Sequence, residues 1–325
     1  MSFTFDSLNA LGNQITVAVP KDEDGFLGRE CPEDDCKKYF KIKPGTGLTG
    51  DGLPCHCPYC GYTGSTNRFW TPEQIEYAES IAFREVYGAV GRDLKQLEFE
   101  HKPKPGGFGI GISLKVKPGT PPPIQYYREK ALETHVTCNE CTLQYAVYGV
   151  FGFCPDCGVH NSLQILQRNL EIARRLLALA ESQADTEIRR ELIEAALKSC
   201  VSAFDSFAQA RVSTFCAKAH RPEKVSSIRF QNMRAFAAGM KAHFDIDVQR
   251  ETPADDWMFV HQCFMRRHLL THTSGVIDQK YLDETGEGRH LLGRRVAVSA
   301  ADVERLATIV EALGVRLAAT LEALP

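Results

Sequence analysis

At 325 residues the chain is long enough for two or three domains. Its 43% hydrophobic and 24% charged residues are those of a globular protein, which excludes a wholly disordered or fibrous chain. A formal net charge of −3 excludes nucleic-acid binding by bulk charge, so any such contact needs a local basic patch.

Residues 1–70 read as short strands and turns punctuated by Gly and Pro, with Gln14–Val19 and Tyr39–Lys43 as the predicted strands. The opening Met1-Ser2-Phe3-Thr4-Phe5-Asp6 has neither a basic stretch nor an apolar run, so no signal peptide is expected. No stretch approaches the roughly 20 apolar residues of a membrane span. A cytoplasmic protein with no membrane partner is expected.

Residues 71–130 read as a helix and a basic extended linker. Thr71, Pro72 and Gln74 form a capping-box start for a helix reaching about Leu97. Between 101 and 128 stand Lys102, Lys104, Lys115, Lys117 and Arg128 with no acid, among Phe108, Tyr126 and Tyr127. That stretch fits a solvated hairpin face or a nucleic-acid surface. Gly106–Gly111 leads into a strand over Ile112–Val116. No Lys-Ser/Thr and no helix follow it, so it reads as a strand-end turn and not a phosphate loop.

Past Asn161 the pattern becomes helical. Leu163, Leu166, Leu170, Ala173, Leu177 and Ala180 repeat in steps of three and four. Further helices are predicted over about 186–219, 226–244 and 254–274, the last with Gly275 as its C-cap. A final helix follows the Ser299/Asp302 start signal. Residues 161–325 thus read as one helical bundle, and Cys200, Cys216 and Cys263 in it as buried thiols.

Eight of the 12 cysteines fall in close pairs, which favours metal binding in a reducing cytosol over disulfides. In residues 131–160, Cys138-x2-Cys141 and Cys154-x2-Cys157 flank a predicted strand over 144–150. Knuckle, hairpin, knuckle is the plan of a zinc ribbon, with four thiolates in the tetrahedron that zinc favours. The first ribbon uses Cys31, Cys36, Cys57 and Cys60. Cys55 and His56 compete as ligands, with Cys55 the expected spare thiol. Cys57-Pro58-Tyr59-Cys60-Gly61 and Cys154-Pro155-Asp156-Cys157-Gly158 share their turn residues, as two related ribbons would. Two structural Zn2+ are expected. A closed four-sulfur site leaves no open position for catalysis.

Arg267-His268-Leu269-Leu270-Thr271-His272 sets one permanent cation and two imidazoles within six residues, ahead of Gly275. A forked guanidinium suits phosphate, and an imidazole moves protons near neutral pH. RNA carries its own nucleophile, the 2′-hydroxyl, so a proton carrier such as His272, a charge brace such as Arg267 and a second imidazole, His268, suffice to cleave it without a catalytic metal. On an ideal helix Arg267 and His272 point about 140° apart. His261, His268 and His272 share a face. No HExxH is present, since Leu269 stands where the glutamate would be.

This Arg-x4-His motif, with the following Gly275-Val276-Ile277-Asp278-Gln279-Lys280-Tyr281-Leu282, resembles the HEPN superfamily of helical-bundle proteins, many of them metal-independent endoribonucleases. The resemblance covers roughly residues 161–325. It implies a homodimer through the bundle with two motif copies facing each other, RNA as substrate and a 2′,3′-cyclic phosphate product. It also implies that Asp205, in Ala203-Phe204-Asp205-Ser206-Phe207, orients the arginine or histidine, and that the protein acts as a toxin or antiphage effector with a trigger or antitoxin as partner. The expected architecture is α+β and multidomain: two small β-rich zinc ribbons with a connecting helix, then an all-α HEPN-like bundle. The competing expectations are a non-catalytic dimer that binds nucleic acid or protein, and a zinc-held regulator without nucleic-acid contact.

Overall fold

The structure is a computed structural model that describes residues 4–50, 52–102, 110, 112–117, 119–132 and 134–325. It is α+β, with small antiparallel sheets in the N-terminal part and a helical C-terminal part. The chain divides into two compact units, Met1–Val159 and His160–Pro325.

In the first unit, a short helix α1 (Asp6–Asn9) precedes strands β1 (Leu27–Glu30) and β2 (Tyr39–Ile42). The predicted strand at Gln14–Val19 is irregular; those residues find no ladder partner. Next come β3 (Pro54–His56), β4 (Thr63–Ser65) and helix α2 (Pro72–Lys95). The α2 capping box forms as expected: the Gln74 N–H donates to Thr71 Oγ1 and the Thr71 N–H to Gln74 Oε1, both at 3.2 Å. A hairpin of β5 (Phe99–His101) and β6 (Ile112–Leu114) follows, then β7 (Thr134–Thr137) and β8 (Gln144–Val147). The predicted Gly106–Gly111 turn falls almost wholly outside the described residues.

Strands from the two cysteine regions share one four-stranded sheet in the order β1-β2-β8-β7. The seam pairs Lys41 with Ala146 and Ile42 with Tyr145. Beneath it, Phe40, Phe69, Leu143, Tyr145 and Val147 pack into one apolar cluster with cysteines of both groups. Helix α2 is tied to the sheet through Glu129, whose carboxylate accepts from Tyr39 Oη and from Gln74 Nε2. Gly28 lies under this contact, where a Cβ would press on the Tyr39 ring, with Cε2 2.7 Å away.

The second unit is built from α3 (Ser162–Ser182), α4 (Thr186–Thr214), α5 (Met233–Phe244), α6 (Ala254–His272), α7 (Gln279–Thr285) and α8 (Ala300–Glu322). The predicted apolar stripe of α3 faces inward, with Leu166, Leu170 and Ala173 fully buried. At the centre Phe204 packs edge-on against Phe236 and Phe264, with ring centroids 5.8 and 6.1 Å apart. Each such ring contributes roughly 1.5–3 kcal/mol by burial. The third helix starts seven residues later than expected, because Asn232 caps it by accepting from the Ala235 N–H at 3.0 Å. Residues 222–227 form a 3-10 turn instead. Cys200 and Cys263 are buried as expected, whereas Cys216 is half-buried, its Sγ on the Pro222 carbonyl. No helix among the described residues is long and apolar enough to cross a membrane.

Candidate functional site

Both predicted cysteine groups assemble. Cys31, Cys36, Cys57 and Cys60 form one set, and Cys138, Cys141, Cys154 and Cys157 the other. Within each set the sulfurs lie within 4.8 Å of one another. Cys31 and Cys60 are 3.6 Å apart, Cys36 and Cys57 3.8 Å, Cys138 and Cys157 3.6 Å, and Cys141 and Cys154 3.5 Å, sulfur to sulfur. A tetrahedron with 2.3 Å metal–sulfur arms has edges of about 3.8 Å, so each set fits one tetrahedral ion.

The knuckles are local hydrogen-bonded turns. The Gly61 N–H donates to the Cys57 carbonyl and the Gly158 N–H to the Cys154 carbonyl, each at 3.0 Å. Both glycines have positive φ, +73° and +72°, so the Pro-x-Cys-Gly parallel in the sequence is a parallel in backbone. The two knuckles also meet: the His56 N–H donates to the Pro155 carbonyl and the Phe153 N–H to the Pro58 carbonyl, both at 2.8 Å. Cys55 and His56 stay outside the first set. Burial pushes the Cys55 thiol up to about 12, as for an inert core cysteine. His56 Nδ1 bonds Thr63 Oγ1 at 2.8 Å.

The Arg–His residues stand at the end of α6. The C-cap is Thr273, two residues before the expected Gly275, and its N–H donates to the Leu269 carbonyl at 2.9 Å; Ser274 (φ +53°) and Gly275 (φ +80°) then turn the chain, and the Gly275 N–H donates to the same carbonyl at 2.9 Å. Arg266 turns inward to Glu287 and Asp302, at 3.2 and 3.5 Å. Its neighbour Arg267 turns to the surface, where Nη1 donates to Gln231 Oε1 at 2.9 Å. Gln231 Nε2 in turn donates to Asp205 Oδ2 at 2.6 Å. Asp205 on α4 and Arg267 on α6 are thereby linked through Gln231, a residue the sequence did not flag.

His268 and His272 are exposed, with ring centroids 4.6 Å apart. Partial burial, with His272, Lys280 and Arg267 nearby, holds His268 below the ordinary histidine range. His261 does not join them at the surface. It is 4% exposed, with Nε2 3.6 Å from Glu284 Oε2. Seven residues span almost two turns, but α6 packs the His261 end of that face under α7 and leaves the His272 end open. Among the described residues no hydrogen bond joins Arg267 to His272.

Comparison of the chain with protein families, with curated proteins and with solved structures finds no match.

Proposed function

We propose that this protein is a zinc-stabilised endoribonuclease of HEPN type. The reading rests on one observation: a surface arginine steadied by an amide–carboxylate chain lies beside two imidazoles at a helix end. Arg267 supplies a permanent charge for a phosphate and its phosphorane. His268, held towards its neutral form, takes the proton of a ribose 2′-hydroxyl. O2′ then attacks the adjacent phosphorus, and His272 returns a proton to the departing 5′ oxygen. The products are a 2′,3′-cyclic phosphate and a 5′-hydroxyl end.

Within one helix Arg267 and His272 diverge by about 140°. A second copy of the chain, docked through the helical unit, supplies the facing set, so the working enzyme is a homodimer. The two four-sulfur sites hold Zn2+, whose role is to fold the N-terminal unit, since four sulfurs leave no place for substrate.

The test is incubation of pure protein with total RNA in Mg2+-free buffer, beside Arg267→Ala and His272→Ala. Cleavage by wild type that leaves cyclic-phosphate ends, lost in both variants, supports the reading. Equal inactivity of all three overturns it. A toxin or antiphage role predicts growth arrest on expression, relieved by Arg267→Ala.

A further inference from the structure

Helix α2 is 24 residues long, about 36 Å. The chain runs back along it: the Gln125 N–H donates to Ser80 Oγ at 3.1 Å, Tyr127 packs on Tyr77, and Lys130 Nζ lies 3.8 Å from Glu73. The β5–β6 hairpin is left beside the C-terminal end of α2, where the Val116 N–H donates to Glu98 Oε1 at 3.0 Å. All six of its strand residues are exposed.

The register pairs Phe99 with Leu114 and His101 with Ile112, so these four side chains share one face. Phe99, Ile112 and Leu114 are 52, 57 and 44% exposed. A two-stranded hairpin whose side chains stay exposed on both faces is marginal in water, and a ligand that covers this face would stabilise it.

Charge identifies the ligand. Among the described residues of 92–117, five cations (Arg92, Lys95, Lys102, Lys115 and Lys117) outnumber three acids (Asp93, Glu98 and Glu100), and each acid has a hydrogen-bond or ion-pair partner. Asp93 accepts the Ser7 and Leu8 N–H groups, Glu98 accepts that of Val116, and Glu100 pairs with Lys102 at 2.9 Å. Lys95, Lys115 and Lys117 have no ion-pair partner among the described residues. Lys95 and Arg92 also offset the negative end of α2. An exposed apolar face carrying Phe99, on a hairpin whose following residues Lys115 and Lys117 and whose neighbouring helix-end Lys95 are exposed and unpaired among the described residues, matches unstacked bases on a phosphate backbone.

We infer that the β5–β6 hairpin and the end of α2 bind single-stranded RNA, with Phe99, Ile112 and Leu114 against bases and Lys95, Lys115 and Lys117 on phosphates. This surface belongs to the first unit, the Arg267 residues belong to the second, and binding here does not require the Arg267 residues to cut. The test uses full-length His272→Ala protein, so that RNA survives, and a labelled single-stranded oligoribonucleotide whose binding is followed by anisotropy across a salt series.

Adding Lys95→Ala, Lys115→Ala and Lys117→Ala together weakens binding at least about tenfold, and makes the slope of log affinity against log salt shallower by about 2, at roughly 0.7 per phosphate. Adding Phe99→Ala instead weakens binding and leaves the slope unchanged. Two bound zinc ions per chain certify that each variant is folded. Parental affinity and slope in the triple variant overturn the inference. So does a change in solution mass with unchanged RNA affinity, which would make the hairpin a contact between copies. Loss of cleavage by wild type, with this binding intact, removes the catalytic reading alone.

Discussion

Asp205 never touches Arg267; the amide of Gln231 stands between them, donating to the carboxylate at 2.6 Å and accepting from the guanidinium at 2.9 Å. An amide can bridge an acceptor and a donor in this way because its two ends are chemically opposite. Replacing Gln231 with Leu removes both contacts and frees the arginine to wander. We expect kcat for RNA cleavage to fall roughly 10- to 100-fold, with KM little changed and the melting temperature near that of wild type, because the pair is exposed. Unaltered kcat would show that the link does not position the arginine.

The helical elements were legible because their signals are local. The stripe from Leu163 to Ala180 and the caps at Thr71 and Ser299 stand within a few residues of what they control. The short helix α7 was missed, since seven residues carry too few apolar positions to show a period. The bridge at Gln231 was invisible for a different reason: it joins residues 26 and 36 positions away, and nothing in a side-chain pattern encodes such a meeting. The two four-cysteine sets were legible from spacing, whereas the strand pairing that joins them was not.

That pairing gives a prediction about zinc. Cys141→Ser removes one ligand from the second set, whose strands continue through the β2–β8 seam into the first. Loss of the ion should loosen that seam and lower the affinity of the Cys31 set for Zn2+ at least about tenfold in a competition with a chromophoric chelator. Far-ultraviolet helicity from the second unit should persist, because its core contains none of the ligand cysteines. A first site of wild-type affinity would show that the sites are energetically independent.

His268 sets a pH signature. With its folded value below the ordinary histidine range, it is neutral at pH 7, and a base in that state fails as pH falls through that lowered value, below about 6.5. Lys280→Ala removes one of the cations that depress it. The acidic limb of the cleavage profile should then move to higher pH. A limb that stays in place assigns the base elsewhere.

His160 gives a separate, stability-based test. Burial and the nearby Arg211 push it down to about 4. The unfolded chain therefore binds a proton below about pH 6.5 that the folded chain refuses until about pH 4. Stability is complete above pH 6.5 and drains away as pH falls across that window. Between pH 7 and pH 5 the loss from this one residue is about 2 kcal/mol. His160→Gln should show a smaller drop in denaturant-measured stability over the same interval. An equal drop in both proteins would contradict the assignment.

The seam between β2 and β8 also bears on how the chain is made. Its two edges are separated by about a hundred residues, including all of α2. A ribosome delivers the Cys31 set long before β8 exists, so the early half waits with an open strand edge until residue 147 has emerged. Truncation anywhere between 70 and 130 would leave that edge bare for good, and such fragments should aggregate even with zinc supplied.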